Sequence, residues 1–408
     1  MKVVTDLKTE FKENPLDFLQ YQSSNPGSAT GLVVEGKKIS LEEDSKKALP
    51  LTFTPFVQRG ITFSNRIIVS PMCMYSSQDG FLTNWHIAHY GGLSMQSPGG
   101  IVVEASAVEP HGRISINCAG IWKDEHIESH KKVVDIAKSN NVKIGIQIVH
   151  SGRKGSSLPL WESRRGIAGN SIGGWVDEVY GPSDIAFDET SADPKELSVE
   201  QIERIIQSFV NAAVRVDKAG YDFIEIHAAH GYLLSSFLSP NANKRTDIYG
   251  GSFENRTRIL LEISEKVRKI FPESKPVWVR ISCHEWIENG WTNEDSVRLS
   301  KLLKDIGIDL IDCSSGGISN EQVISAGPMF QVPFAEQIRK EANIATGAVG
   351  MITKPSEIED ILQSGKSDVV FLARQFLLEP SIVKRAAVEL GVDIAYPNQY
   401  LYAKSLIH

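Results

Sequence analysis

No stretch of this 408-residue chain pairs cysteines at metal or redox spacing. Cys73, Cys118, Cys283 and Cys313 lie far apart, with no CxxC and no run that suits zinc or an iron–sulfur cluster. That usage fits a reducing, cytosolic setting, so a cytoplasmic location is expected. A basic field is lacking as well. With 43 Lys and Arg against 50 Asp and Glu, the formal net charge is -7, which attracts no polyphosphate backbone and gives no reason to expect nucleic acid as a partner. The N-terminus carries no apolar run of signal length, and residues 1–50 contain lysines but no arginine, unlike a mitochondrial presequence. Nowhere is an apolar run long enough to span a membrane, so no membrane partner is expected. Finally, no GxGxxG follows an apolar run, which argues against a separate dinucleotide domain.

What is present is a repeated βα pattern. Residues 1–50 mix Ser, Asn, Lys and Glu around one apolar patch, "NPLDFLQY", and read as an N-terminal extension with a short helix and loose linkers. From Leu51 onward, short Val- and Ile-rich runs alternate with amphipathic stretches of helical period. The runs are "NRIIVSPM", "GIVVEASAV", "KIGIQIVH", "FIEIHAA", "VWVRIS", "LIDCSS", "ANIATGAV" and "SDVVFLAR". Each is nearly continuously apolar, as a parallel strand buried on both faces must be. Between them, "SVEQIERIIQSFVNAAVRVDKAG" offers Ser198 and Gln201 as a capping box and Gly220 as its stop, while "KPSEIEDILQSG" begins at a proline and closes on Gly365. Eight units in about 330 residues favour an α/β fold of one (β/α)8 TIM barrel over 51–400, with a doubly wound sheet as the alternative. Residues 401–408 form a tail. More than forty residues separate "IQIVH" from the helix at Ser198, and loops of that length in compact enzymes usually cover or shape a site.

Barrels of this kind build their active sites at the carboxyl ends of the strands. Strand one ends in Ser70, Pro71, Met72, Cys73 and Tyr75, strand two near Ala105, strand three carries Gln147, strand four ends in His227 and His230, and strand five in Arg280. The last two strands end at Val349–Gly350 and at Ala373–Arg374. Backbone amides in that closing pair of loops, beside an arginine, are the usual phosphate seat, so a phosphorylated cofactor is expected there. The stretch "HAAHGY" sets two histidines three apart and Tyr232 just beyond. They could bind a metal, a phosphate or a carbonyl oxygen. Metal would need a third ligand; His150 and His284 are the candidates, but neither has a characteristic spacing. His86 and His89, in "WHIAHYGGLSMQ", read as packing or capping groups near a helix start.

The motifs "SPMCMY", "IQIVHSGRKG", "HAAHGYLLSSFLSPNANKRTDIYGGSFENRTR" and "GAVGMI" resemble those of the Old Yellow Enzyme family of flavin-dependent ene-reductases, and the resemblance runs from about Leu51 to Tyr400. The Cys in "SPMCMY" and the His–Ala–Ala–His pattern look most like its thermophilic-like branch. The resemblance implies FMN, bound without a covalent link at the barrel mouth, with NADPH or NADH as electron donor in a ping-pong scheme. It implies that Ser70, Pro71, Met72, Cys73, Ala105, Gln147, Arg280, Val349, Gly350, Ala373 and Arg374 bind the cofactor. Arg280 would meet negative charge near flavin N1 and O2, Gln147 the pyrimidine edge, and Cys73 the N5 and O4 side. His227 and His230 would hold the carbonyl oxygen of an α,β-unsaturated substrate of the enone or enal type while hydride arrives from N5. Tyr232 would protonate the α-carbon, and Tyr75 would line the substrate pocket.

Two departures from that family follow. Tyr402 stands where bacterial members of the branch carry an arginine that reaches a neighbouring subunit, so the homo-oligomer usually inferred for the branch is left open. Ala373 replaces a frequent glycine, one methyl beside the expected phosphate. Two other readings remain: a metal-dependent barrel hydrolase or lyase using His227 and His230, and a non-catalytic flavin-binding scaffold.

Overall fold

The structure, a computed structural model, describes residues 37–38, 48–163 and 166–404. The patch "NPLDFLQY", nearly all of the expected extension and residues 405–408 lie outside them. From the extension, Lys37–Lys38 pairs antiparallel with Val392–Asp393.

Eight parallel strands close into a barrel. In chain order they are β1 (Ile67–Val69), β2 (Gly100–Ala107), β3 (Lys143–Val149), β4 (Phe223–Ala228), β5 (Val277–Ser282), β6 (Leu310–Ser314), β7 (Ala345–Ala348) and β8 (Val369–Leu372). Each lies within one of the eight apolar runs of the sequence, and β8 pairs back onto β1, which rules out the open doubly wound sheet. Continuous burial along β2, β4, β5, β6 and β8 explains the unbroken apolar runs: one face meets the helices and the other fills the barrel.

The outer ring includes α1 (Asn84–Ser94), α2 (His126–Ser139), α3 (Val199–Lys218), α4 (Phe253–Ile270), α5 (Asn293–Ile306), α6 (Val332–Ala342), α7 (Pro355–Gln363) and α8 (Ile382–Glu389). Helix α3 shows how local sequence fixes an element. Ser198 Oγ accepts from the Gln201 amide at 3.3 Å, and Gln201 Oε1 accepts from the Ser198 amide at 2.8 Å. Ile202, Ile205, Ile206, Phe209, Ala213 and Val216 then form its buried stripe, each fully buried Ile or Phe contributing roughly 1.5–3 kcal/mol before chain entropy is counted. Gly220 ends the unit at φ +90°, a conformation that costs an L side chain dearly.

A β-hairpin, Phe56–Gln58 with Ile61–Phe63, closes the amino end of the barrel. Phe63 packs edge-on to Phe223 with ring centroids 5.4 Å apart, and Phe223 lies 4.2 Å from Trp278, whose Nε1 donates to Gln58 Oε1 at 2.7 Å. These rings need space. A Cβ on Gly145 would come within 2.3 Å of the Phe223 ring, and one on Gly347 within 2.1 Å of Phe371, so glycine is required at both inward positions. The aromatic floor restricts access to the carboxyl end.

Candidate active site

Strand alternation decides what the mouth contains. Phe223, Glu225 and His227 point inward from β4, Trp278, Arg280 and Ser282 from β5, and Leu310, Asp312 and Ser314 from β6, while register sets Gln147 opposite Glu225 and Arg280 opposite Asp312. One pleat above the floor there is thus a polar layer. Gln147 Nε2 donates to Glu225 Oε1 at 2.7 Å, and Arg280 Nε lies 3.0 Å from Asp312 Oδ2. Both carboxyls have no solvent exposure. Burial raises the Glu225 pKa to about 8, with the Asp312 charge adding to the effect and Arg280 opposing it. Burial also raises Asp312, to about 6, against the pull of Arg280. Two buried acids facing one guanidinium share a proton at neutral pH, so Asp312 is the anion of the ion pair and Glu225 keeps its hydrogen.

His227 accepts from the Ala229 amide through Nδ1 at 3.2 Å, which leaves the ring proton on Nε2. His230 sits at φ +61°, with its amide on Ser282 Oγ at 2.8 Å and its ring Nε2 2.7 Å from Ser314 Oγ, leaving Nδ1 for a guest. A left-handed histidine followed by Gly231 at φ +72° is a turn held from outside. The clamp is backbone contact: a Cβ on Gly231 would fall 2.1 Å from the Gly317 carbonyl. The two imidazoles stand perpendicular with centroids 5.1 Å apart, and the His227 and Tyr232 rings are 5.0 Å apart. Burial holds both histidines well below the usual imidazole range, with Arg280 and Lys154 adding to the effect. Each is therefore neutral, with one N–H to give. Burial pushes the Tyr232 phenol well above its ordinary value, as do Cys73 and Tyr75 beside it, so it keeps its proton.

Of the remaining expected residues, Cys73, Tyr75 and Ala105 pack in one cluster with Tyr232. Ser70 is buried directly after β1, its amide donating to the Leu372 carbonyl at 2.9 Å; Pro71, Met72, Cys73 and Tyr75 follow, half-buried. Tyr75 takes φ +49°, stands edge-on to Trp161 at 5.6 Å and has its phenol pKa raised by burial. Ala105 lies at the register shift of β2 between Val103 and Ser106, the sort of irregularity that re-aims a strand next to a site. Arg280 sits two residues before the end of β5 rather than at its tip. Val349, Gly350, Ala373 and Arg374 line a separate hollow of about 520 Å³ with Gln331 and Phe330. Gly350, at φ +130°, brings its backbone against Gln331 and Phe330 where a side chain would be strained.

Residues of the long connection after β3 do build the site. Leu158, Ile167 and Phe187 join Tyr75, Lys154 and Tyr232 around a cavity of about 220 Å³. Lys154 was not anticipated from sequence. Its Nζ donates to the carbonyls of His230 (2.9 Å) and Gly317 (3.1 Å), lies 4.1 Å from the Phe187 ring centroid and 5.3 Å from that of Tyr232, and burial lowers its pKa to about 8. Glu225 and Asp312 were also missed. His150 and His284 do not join the pair: His150 Nδ1 accepts from the Gly152 amide, and His284 stacks on Phe334. Among the described residues, no three His, Cys, Asp or Glu side chains are grouped to hold a metal. His86 caps α1, its Nδ1 accepting from the Thr83 amide at 2.9 Å, as its position suggested.

The residues fit a flavin. Ser70 Oγ, Arg280 Nε, Glu225 Oε2 and both Asp312 oxygens are buried without hydrogen-bond partners, Arg280 and Asp312 being close but misaligned, so the mouth has unspent donors and acceptors of the kind a pyrimidine rim needs. A closed parallel barrel with a polar layer of this kind, a His–x–x–His turn and a glycine-edged hollow after β7 and β8 suits a flavin-dependent oxidoreductase. Residues 51–392 match the NADH:flavin oxidoreductase / NADH oxidase family, and the chain belongs to it. It is 46% identical over 350 residues to an NADPH dehydrogenase of Bacillus subtilis, a match covering 85% of this chain and 97% of that one. It is 44% identical over 362 residues to an NADH:flavin oxidoreductase of Gibberella zeae, covering 85% and 87%. The fold superposes on morphinone reductase with a TM-score of 0.69 at 24% identity, covering 86% of this chain and 92% of that one. The protein is therefore an enzyme of that flavin oxidoreductase family, with FMN as cofactor and NAD(P)H as electron donor. Among the described residues no helix is long and apolar enough to cross a membrane.

Proposed function

We propose that the protein is an ene-reductase that reduces the C=C bond of α,β-unsaturated carbonyl compounds. The observation that carries this reading is the close grouping of two neutral imidazoles with one protonated phenol, the Tyr232 ring that also lines the cavity below the long loop. Neutral N–H groups can donate to a carbonyl oxygen without a counter-ion, and both donors are fixed in advance by Ala229, Ser282 and Ser314. Tyr232 holds a proton for the carbon next to that carbonyl, and Lys154, near its ring, favours the phenolate formed when the proton leaves. FMN would be held by Ser70, Pro71, Met72, Cys73, Ala105, Gln147, Arg280, Val349, Gly350, Ala373 and Arg374, and would supply the two-electron chemistry that links NAD(P)H to the alkene. Arg280 favours negative charge at the cofactor's pyrimidine end. Tyr75 and the loop residues Leu158, Ile167 and Phe187 exclude water and shape the pocket for a small enone.

The test is optical. Purified protein should be yellow, bleach anaerobically with NADPH or NADH, and recover its colour on adding cyclohexenone. Bleaching without recovery across a panel of enones and maleimides would refute alkene reduction; colour that no nicotinamide bleaches would favour the scaffold reading instead.

A further inference from the structure

We infer that Lys154 is a specificity-determining residue whose ammonium receives an anionic substituent, so that the substrates of this site are alkenes carrying a carboxylate apart from the carbonyl held by the histidines. The alkene rests on the ene-reductase reading; the anion rests on the surroundings of Lys154. This residue lies in the turn after β3, its Nζ donates to the carbonyls of His230 and Gly317, and it lines the cavity that Tyr75 and Tyr232 share. An ammonium has three N–H groups. Two are used, and among the described residues no carboxylate pairs with it. A cation set into a cavity wall and held by carbonyl oxygens alone lacks the counter-charge that such groups normally take.

Its neighbours do not supply that counter-charge. Asp188 also lines the cavity, but its Oδ1 accepts from the Thr190 amide (3.0 Å), Thr190 Oγ1 (2.8 Å) and Ser191 Oγ (2.8 Å), and its Oδ2 from Asn320 Nδ2 (2.7 Å). Arg153, the preceding residue, is buried and adds a second positive charge, its guanidinium donating to the carbonyls of Ile185, Ala186 and Ile318. The hydroxyls of the cavity wall are spent as donors too, Ser156 on the Ala168 carbonyl and Ser157 on that of Ile114. One N–H therefore remains for one anionic oxygen, which fits a carboxylate; a phosphate, with three acceptor oxygens, would need further donors. Ile114, Leu158, Ile167 and Phe187 supply apolar wall for the carbon frame between the two polar ends.

The cation carries a pH signature. Burial, then the Arg153 charge, lower Lys154 to about 8 against the pull of Asp188, so it is charged at pH 7 and mostly neutral at pH 9. The groups facing it keep their charge over that interval. Asp188 is held at about 2, its burial outweighed by hydrogen bonds from Asn320, Ser191 and Thr190. Burial keeps the Tyr75 and Tyr232 phenols protonated and the His227 and His230 imidazoles neutral, and Arg153, lowered by burial to about 10, remains a cation. Preference for an anion is therefore full well below pH 8 and lost as pH rises through it.

Oxidised holoenzyme is titrated by calorimetry with 3- and 4-acetylbenzoate and with the matching acetylbenzamides, aryl ketones that offer the same carbonyl, hold no reducible alkene and do not titrate between pH 6 and 9. At pH 7 the tighter of the two acids should bind roughly 10- to 100-fold better than its amide. That ratio should fall about tenfold between pH 7 and 9, as loss of one proton near pH 8 requires. In Lys154→Gln, which keeps N–H donors for the two carbonyls, it should be about one at either pH. A role confined to tying the loops together would weaken acid and amide equally. Because Lys154 also favours the Tyr232 phenolate, turnover is read as a ratio: kcat/KM for a cyclohexenone bearing a carboxylate over that for its carboxamide should follow the binding ratio. Equal binding of acid and amide by the wild type at pH 7, or a preference that persists unchanged at pH 9 or in the variant, overturns the inference, and the wild-type titrations decide it even if the variant does not fold. Preference for the acid in a protein that reduces no enone leaves the anion seat standing and removes the ene-reductase reading; enone reduction without that preference does the reverse.

Discussion

Glu225 Oε1 accepts from Gln147 Nε2 at 2.7 Å in a barrel layer that solvent does not reach, and its folded-state pKa is about 8. The sign of the consequence follows from linkage. Unfolded, the carboxyl titrates near 4.5; folded, it holds its proton to higher pH, so the folded state binds more protons between those values. Its contribution to stability is complete below about pH 4.5 and is lost as pH rises through about 8. Glu225→Gln keeps an oxygen for Gln147 and removes the titration. Between pH 5 and 9 the apoprotein should lose on the order of a few kcal/mol more stability in the wild type than in the variant. Denaturant melts across that range test this, and parallel curves for the two proteins would refute it.

Tyr232→Phe removes one oxygen from a ring packed against His227. If Tyr232 is the main proton donor, enone reduction should slow by roughly 10²–10⁴-fold while flavin bleaching by NADPH stays nearly unchanged. Because burial keeps the phenol protonated well beyond its usual range, wild-type enone turnover should show no decline from loss of this proton between pH 7 and 9. Stopped-flow traces of the two half-reactions separate these steps. Equal alkene rates in the two proteins would take Tyr232 out of the chemistry.

His227→Ala should weaken binding of phenols, which place an oxygen where an enolate oxygen would sit. Loss of one buried donor corresponds to about 1–3 kcal/mol, or roughly 5- to 150-fold in Kd. Since burial holds both imidazoles neutral, phenol affinity in the wild type should be level from pH 6 to 8 rather than titrate near 6.5. The readout is the long-wavelength band that phenols produce over such flavins. Unaltered titrations in the variant would exclude the carbonyl clamp.

Much of this was legible in sequence, for a specific reason. Parallel strands buried on both faces have a distinctive text, and all eight apolar runs became barrel strands; Ser198, Gln201 and Gly220 bounded their helix because capping is local chemistry. The strand ends then delivered Gln147, His227, His230 and Arg280 to one mouth. The acids Glu225 and Asp312 escaped, although the signal existed: period-two alternation puts Glu225 on the face of His227, and parallel register sets Asp312 beside Arg280. Lys154 left no such signal. Its partners are the His230 and Gly317 carbonyls, contacts made by loop paths that no periodicity encodes.

Arg280 and Asp312 must be tested together, because removing one partner of a buried ion pair confounds binding with folding. Arg280→Gln alone leaves Asp312 with no exposure and no cation, a loss of about 3–5 kcal/mol unless the acid takes up a proton. Asp312→Asn in the same chain removes that charge, so the double variant should regain most of the lost stability. FMN affinity should not return with it. In the proposed site the guanidinium would meet negative charge at the pyrimidine end, and a charge-assisted hydrogen bond of about 1.5–3 kcal/mol corresponds to roughly 10- to 150-fold in Kd. Fluorescence titration of the apoprotein with FMN, beside denaturant melts of the same three samples, separates the two effects. If the double variant binds FMN like the wild type, Arg280 serves only to neutralise Asp312, and the cofactor's charge must be met elsewhere.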